Sequence, residues 1–294
     1  METARCKAFL YSVENGSFSK AAEALGYTPS GVSQLVSALE NELGMPLLIR
    51  SKKGVILTAN GESILPTVRE FLAEEDKLHQ IAADIQGLVI GNITIATYSS
   101  IATHWLPDVI KEFQTQYPKI KIKLLEGIRQ EVVQWIDNRQ ADIGFLSYLE
   151  PMPYDWLPLA EDQMLAVLPR DHPFANATSY PLKNCTSENF IMPGKGQDAD
   201  VIAMFERNDI FPNIAFSTIE NFAALAMIES GLGISIMNEL ITQNWVCDVS
   251  MMPVEPPQKI TLGLAVPSLG SASPAVKRFI DFAVARLTRK EVPL

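Results

Sequence analysis

Helix-ending and helix-starting residues follow one another closely in the first 44 residues, so only short helices fit between them. Asn15-Gly16, Gly26 and Gly44 tolerate the left-handed conformation in which helices commonly end. Thr28 and Pro29 are typical of an N-cap and of the first helical position. Apolar residues recur with helical spacing between these points. The pattern predicts three helices, with the third beginning at Pro29.

Short polar side chains are expected on the exposed face of the third helix, near its N-terminus. Together with Thr28 and Pro29, they are Ser30, Ser33, Gln34 and Ser37. A helix of this kind can enter the DNA major groove, which is about 12 Å wide, where glutamine pairs with adenine and serine bonds a base or a phosphate. The alternative is an ordinary solvated helix face.

Two apolar runs flank a basic turn directly after this helix. Residues 47–50 and 55–57 are typical of strands, and Lys52 and Lys53 lie in the turn between them. Such a wing would place Arg50, Lys52 and Lys53 beside the DNA backbone, and the alternative is a solvated turn. Residues 1–60 hold six Lys/Arg and five Asp/Glu, although the whole chain has a net charge of −10. The acidity of the chain therefore lies outside this segment.

Several short motifs of this segment match a known family. They are Gly16-Ser17-Phe18, Ala21-Ala22, Leu25, Thr28-Pro29-Ser30, Val32-Ser33-Gln34, Leu39-Glu40, Leu43-Gly44, Arg50, Leu57-Thr58 and Gly61. Residues 9–62 closely resemble the start of LysR-type transcriptional regulators. One departure is Ile49, where the family usually has phenylalanine before the arginine, and it changes a packing residue rather than a polar contact. The resemblance implies a winged helix-turn-helix domain over residues 1–58 that binds double-stranded DNA.

Apolar residues follow an alternating four-and-three spacing from Thr58 to about Leu88. They are Ile64, Val68, Phe71, Leu78, Ala82 and Ile85, with Glu75 in one slot. Such a seam is expected of a helix that pairs with a partner, and the alternative is a long helix lying on its own domain. Residues 59–88 resemble the dimerising linker of the family. The resemblance implies a homodimer or homotetramer, with RNA polymerase as a further candidate partner.

Short strands and helices alternate after Gly91. The alternation predicts an α/β fold with parallel sheets, and its two series predict two lobes with a cleft between them. Residues 91–294 resemble the effector-binding domain of the family, which is similar to periplasmic binding proteins. The resemblance places lobe one at residues 91–161 plus 267–294 and lobe two at residues 162–266.

Candidate effector-binding residues lie at strand ends and helix starts in both predicted lobes. Ser99, Ser100 and Ile101 begin the first helix of lobe one, where hydroxyls and free N–H groups suit an anion. The effector loop of the family matches this position. The other candidates are Gly194, Lys195, Ser147, Tyr148 and Thr218. The effector is expected to be small and either polar or anionic, and helix capping and surface turns are the alternative roles of these residues.

The sequence lacks the residue spacing of common catalytic, cofactor and metal sites. We therefore expect no enzyme activity and no cofactor. The three cysteines are expected to be reduced, and neither a secretory signal nor an apolar run of about 18 residues is present, which favours a cytoplasmic protein. Two other functions remain open at this point. One is a small-molecule binding protein whose N-terminal helices mediate protein contacts, and the other is a cytoplasmic enzyme.

Overall fold

A computed structural model describes residues 2–51 and 54–288. The chain divides into two units, one formed by residues 1–91 with 137–140 and the other by residues 92–136 with 141 onward. Among the described residues, none of the helices combines the length and apolar content needed to cross a membrane.

In the described part of the first unit, four helices pack with one pair of strands. The helices are α1 (Thr3–Asn15), α2 (Phe18–Leu25), α3 (Pro29–Leu43) and α4 (Ala59–Ile85), and the strands are β1 (Leu48–Ser51) and β2 (Gly54–Leu57). Gly16, Gly26 and Gly44 follow α1, α2 and α3 with φ of 60°, 70° and 70°. The prediction of three short helices ended by these residues is confirmed.

The core of this unit lies where α1 packs on α2 and α3. Phe9, Val36, Leu39 and Leu47 are completely buried there. The Cys6 thiol is buried in the same cluster, and this burial raises its pKa. Burial of these side chains removes apolar surface from water, which is the main driving force for packing the three helices together.

The hairpin pairs β1 with β2 in antiparallel register, from Leu48 opposite Leu57 to Ser51 opposite Gly54. The backbone N–H of Val55 donates to the carbonyl of Gly16 at 2.9 Å, which ties the hairpin to the turn between α1 and α2. The predicted two-stranded wing is confirmed. Lys52 and Lys53 lie outside the described residues.

The long helix α4 begins after Thr58, whose Oγ1 accepts from the N–H of Gly61 at 3.0 Å. The predicted seam divides into two parts. Val68 is buried within the unit, whereas Phe71, Leu78 and Ile85 are 36%, 65% and 82% exposed. The second half of α4 therefore presents large apolar side chains to its surroundings.

Gly61→Ala is expected to lower the free energy of unfolding by about 1–3 kcal/mol, the usual cost of overpacking. A Cβ at this position would lie 2.2 Å from the carbonyl oxygen of Leu47 and 2.9 Å from Cδ2 of Leu57, so backbone would have to move. Urea denaturation followed by circular dichroism measures the effect. The control is Gly270→Ala, whose Cβ would meet only Ser268 Oγ at 3.7 Å. Equal stability of the two variants would contradict the prediction.

Alternating strands and helices build the second unit. The strands are β3 (Gly91–Thr97), β4 (Ile120–Glu126), β5 (Ile143–Ser147), β6 (Asp155–Pro169), β7 (Tyr180–Pro181), β8 (Phe190–Met192), β9 (Ile214–Ser217), β10 (Ser235–Asn238), β11 (Val249–Glu255) and β12 (Lys259–Val266). The α-helices are α5 (Ser99–His104), α6 (Leu106–Gln116), α7 (Arg129–Asp137), α8 (Ala199–Arg207), α9 (Asn221–Glu229), α10 (Glu239–Thr242) and α11 (Pro274–Leu287).

The main sheet has the strand order β4-β3-β5-β12-β6-β11-β7, with β10 also paired to β6. Strands β3 and β5 are parallel, as are β8 and β9 in a second small sheet, and β12 runs antiparallel to both β5 and β6. The prediction of parallel sheets is therefore confirmed for β3 with β5 and for β8 with β9, and it is wrong for β12. The physical reason is β6, a strand of 15 residues that pairs antiparallel with β10, β11 and β12 and so makes the main sheet mixed.

The strand β6 also joins the two lobes. Its first part pairs with β12, from Asp155 to Gln163, and its last part pairs with β10 and β11. The predicted boundary between residues 161 and 162 thus falls inside one continuous strand. Aromatic packing around Phe113 fills one lobe, and Val167 packs with Leu225 and Ile228 in the other.

Candidate DNA-binding surface and effector cavity

Helix α3 presents its N-terminal turn to solvent. Thr28 caps the helix, with its Oγ1 accepting from the N–H of Gly31 at 3.1 Å, and Pro29 occupies the first turn. Thr28, Pro29, Ser30 and Gln34 are exposed, whereas Val32 and Val36 on the opposite face are buried. The geometry thus provides an exposed polar helix start on a packed scaffold, as the sequence predicts.

Arg50 of the hairpin lies across α3. Its guanidinium donates to Ser33 Oγ and to Ser37 Oγ, each at 2.8 Å, and lies 5.0 Å from the centre of the Phe18 ring. The three residues predicted separately as DNA contacts are therefore partners of one another. Each serine hydroxyl keeps its own hydrogen to donate, because its oxygen serves only as the acceptor for Arg50.

Glu40 holds the start of the hairpin, which sequence reasoning did not predict. Its Oε1 accepts from the backbone N–H groups of Leu47 and Leu48 at 2.8 and 3.0 Å. These donors lie seven and eight residues further along the chain. Glu40 therefore fixes the hairpin against α3, and its place in the Leu39-Glu40 motif was the available signal.

The second unit contains a cavity of about 330 Å³. One wall comes from Tyr98, Ser99, Ser100, residues 126–129 and Glu131, and the other from residues 194–195, 197–200 and 219–221 with Asn238 and Ile241. The volume lies at the lower end of the range for small-molecule sites. The cavity can accept a small polar molecule.

Four of the predicted effector residues line this cavity. They are Ser99, Ser100, Gly194 and Lys195. Ser100 is buried and Lys195 is exposed at the opposite wall. Helix α5, which begins at Ser99, has six residues, so its N-terminus offers little dipole to an anion.

The other four predicted residues lie outside the lining. Ile101 is buried in the core, and Ser147 is completely buried with its hydroxyl 3.0 Å from that of Tyr98. Tyr148 packs its ring against Trp156 at 5.6 Å and donates to Glu150. Thr218 supports the Gly194–Gly196 turn, because its carbonyl accepts from the N–H of Lys195 at 2.7 Å.

An ion pair joins the two walls of the cavity. Lys195 Nζ donates to Glu131 Oε1 at 2.7 Å, and this hydrogen bond holds the pKa of Glu131 below its usual value. The other oxygen of Glu131 accepts from the N–H of Ile128 at 3.0 Å. Lys195 has a left-handed φ of 61° between two glycines. The turn therefore directs the lysine to a fixed partner.

Arg129, which sequence reasoning missed, lines the cavity and donates to backbone carbonyls at the end of β5 and just after it. Its Nη1 lies 2.6 Å from the carbonyl oxygen of Ser147 and 3.3 Å from its Oγ, and its Nη2 lies 3.3 Å from the carbonyl oxygen of Leu149. Tyr98 and Ser147 share a hydroxyl hydrogen bond of 3.0 Å. Burial, followed by the neighbouring Asp200, raises the pKa of Tyr98. This tyrosine stays neutral as a hydrogen-bonding group.

Two carboxyl groups at the start of α8 complete the site, and sequence reasoning missed both. Asp198 caps the helix, with its Oδ1 accepting from the N–H groups of Asp200 and Val201 at 3.1 Å each. Asp200 is 8% exposed, and its Oδ1 has no hydrogen-bond partner among the described residues. Burial, reinforced by Asp198, raises the pKa of Asp200 to about 7. The available signal was an Asp-x-Asp pair at a predicted helix start.

Two family models match most of the chain. Residues 4–62 match the bacterial regulatory helix-turn-helix protein of the lysR family, and residues 86–288 match the LysR substrate binding domain. The chain belongs to the LysR family of transcriptional regulators. It is a helix-turn-helix regulator with an effector-binding domain, and the alternative of N-terminal helices that only mediate protein contacts is not favoured.

The relatives of this LysR regulator are themselves described as regulators. An uncharacterized HTH-type transcriptional regulator of Bacillus subtilis (strain 168), YvbU, is 36% identical over 287 residues, which cover 96% of this chain and 98% of the relative. Among solved structures, a full-length OxyR variant with a single substitution, from Pseudomonas aeruginosa, has a TM-score of 0.77 at 18% identity, with 98% of each chain covered. The similarity to OxyR shows that the two proteins have the same fold.

Two further structures of the same fold contain ligands. Full-length CbnR complexed with its target DNA has a TM-score of 0.56 at 22% identity, covering 98% of this chain and 100% of that one. The effector-binding domain of QuiR in complex with shikimate has a TM-score of 0.61 at 23% identity, covering 69% of this chain and 100% of that one.

Proposed function

We propose that this LysR regulator reads a two-fold symmetric DNA operator with α3 and that a small polar molecule in the cavity regulates this binding. The observation that carries the proposal is the exposed polar turn of α3, with Ser30 and Gln34 presented on a buried three-helix core. CbnR, which has the same fold, binds its target DNA.

The roles of the DNA-binding residues follow from their positions. Gln34 is assigned to base contact, because its amide can pair bidentately with adenine. The residues at the N-terminus of α3 are assigned to contacts with the DNA phosphate backbone, and they are Thr28, Pro29 and Ser30. Arg50 orients Ser33 and Ser37 and adds positive charge beside α3. Lys52 and Lys53 are assigned to phosphate contacts from their place in the wing sequence.

The exposed apolar residues of α4 support self-association. Phe71, Leu78 and Ile85 lie on the predicted seam and would be buried by a second copy of the helix. We therefore propose a homodimer or homotetramer acting in the cytoplasm, with a DNA-binding domain at residues 1–58, a linker at 59–88 and an effector-binding domain at 91–294.

Selection of bound sequences from a random DNA pool tests the proposal. The full-length protein is used at physiological salt, because phosphate contacts make affinity strongly dependent on salt. A two-fold symmetric motif is the expected result. A folded protein that recovers no motif, with or without added small molecules, would reject operator recognition by α3.

Gln34→Ala is expected to relax base preference at one position of each half-site, at a cost of about 1–3 kcal/mol for the preferred base. Competition binding with operator variants measures the change. Gln116→Ala, which removes an exposed glutamine at the end of α6, is the matched control and should leave affinity and preference unchanged. A uniform loss of affinity for all DNA sequences would contradict this prediction and indicate that Gln34 contacts the DNA phosphate backbone.

A further inference from the structure

We propose that the effector of this regulator carries a cationic nitrogen, such as a primary ammonium group, held by Asp198 and Asp200 at the start of α8. This inference rests on the proposed use of the cavity as the effector site. It narrows the expected polar or anionic effector to a polar molecule with a cationic group.

The cavity wall contains more acidic than basic side chains. Among the described residues, five carboxyl groups line it, together with two cationic side chains, Arg129 and Lys195. The carboxyl groups belong to Glu126, Glu131, Asp198, Asp200 and Glu220. A cavity with this surplus of carboxyl groups attracts cations and repels anions.

Both cationic side chains already have partners. Lys195 is paired with Glu131 at 2.7 Å, and Arg129 donates to two backbone carbonyls at 2.6 and 3.3 Å. These bonds use part of the donor capacity of both side chains within the cavity wall. Asp200 Oδ1, in contrast, has no hydrogen-bond partner among the described residues.

One polar atom in the cavity wall, a carboxyl oxygen of Asp200, is buried without a hydrogen-bond partner among the described residues. Asp200 is buried in the wall, and its Oδ1 has no donor among the described residues. A buried acceptor without a donor is costly, and a charge-assisted hydrogen bond to a carboxylate is roughly twice as strong as a neutral one. An ammonium group would supply both the donor and the charge that offsets repulsion between Asp200 and Asp198.

The rest of the wall suits a polar body attached to that group. Ser99, Ser100, Asn221 and Asn238 line the same cavity with neutral hydrogen-bonding side chains. Neutral donors and acceptors fix the orientation of a ligand without selecting its charge. Asp198 and Asp200 would therefore select the charge of the ligand.

A size-matched panel of primary amines, carboxylates and alcohols tests the inference, for example 1,5-diaminopentane, pentanedioate and pentane-1,5-diol with their shorter and branched analogues. Melting-temperature shifts of the full-length protein identify binders, and calorimetry measures their affinities. Stabilisation concentrated among the amines is expected. Stabilisation among the carboxylates, or no stabilisation by any amine, would overturn the inference.

Single substitutions test whether the amine binds at Asp198 and Asp200. Asp200→Asn is expected to weaken binding of the best amine about 10- to 100-fold, the range for loss of a hydrogen bond to a charged group. Asp198→Asn keeps a good helix N-cap and should weaken it as well. Asp171→Asn removes an exposed carboxylate outside the lining and should leave affinity unchanged. Unchanged affinity in both cavity variants, with their folding verified by circular dichroism, would overturn the assignment.

Measuring operator affinity with and without a bound small molecule tests the cationic site and the proposed regulation separately. An amine that binds through Asp200 without changing operator affinity would support the cationic site and reject regulation through it. A carboxylate that binds the cavity and changes operator affinity would support regulation and reject the cationic site.

Discussion

Phe113→Ala is expected to lower the free energy of unfolding of the effector-binding domain by about 3–5 kcal/mol, the usual cost of emptying a buried phenylalanine site. Phe113 is completely buried on α6. Its ring lies 4.9 Å from Tyr117, 5.1 Å from Phe279 and 5.5 Å from Phe282 between ring centres. The substitution removes these contacts and leaves a cavity between α6 and α11. Urea denaturation followed by tryptophan fluorescence measures the loss.

The matched control for this prediction is Phe211→Ala. Phe211 is 80% exposed, so its removal should change the free energy of unfolding by less than about 0.5 kcal/mol. If the two variants lost equal stability, the packing around Phe113 would not be the source of the effect.

Asp200→Asn is expected to stabilise the protein at pH 8 by about 2–4 kcal/mol, and by only about 1 kcal/mol at pH 5. Burial first, and Asp198 second, raise the pKa of Asp200 to about 7 in the folded protein. A folded pKa above the unfolded value means that the folded protein binds more protons between about pH 4 and pH 7. Stability is therefore lost as pH rises through this window, and asparagine removes the penalty.

Urea denaturation of both proteins at pH 5 and pH 8, without added small molecules, measures this difference. Asp171→Asn, at an exposed position, is the control and should show no such dependence on pH. Equal destabilisation by Asp200→Asn at both pH values would mean that the favourable interactions of Asp200 with Ser147 and Arg129 outweigh its burial, and it would weaken the case for a cationic effector.

The helix-turn-helix could be predicted closely because its signals are local. The Thr28 cap, Pro29 and the glycines after α1, α2 and α3 act on backbone within a few residues of themselves. The wing could be predicted for the same reason, since its two strands lie close together in the chain. The contact of Arg50 with Ser33 and Ser37 was not predictable from spacing, because it depends on how the hairpin lies across α3.

The effector cavity was predicted only in part. Ser99, Ser100, Gly194 and Lys195 follow strands, and chain positions after strands gather at the edge of a sheet. Arg129 and Glu131 begin a helix in another part of the chain, and their side-chain contacts with Ser147 and Lys195 span 18 and 64 residues. Such pairings depend on how distant parts of the chain fold together, which local sequence patterns do not reveal.

The amino-acid sequence by itself determined the family, the three short helices and wing, and the general place of the cavity, because each depends on local backbone preferences or on short motifs. The tertiary structure alone decided the charge balance of the cavity. Burial leaves Asp200 Oδ1 without a donor among the described residues, while Lys195 and Arg129 are held by Glu131 and by backbone carbonyls. The physical reason is that desolvation and pairing depend on distances between residues far apart in the chain, and these distances exist only in the folded protein.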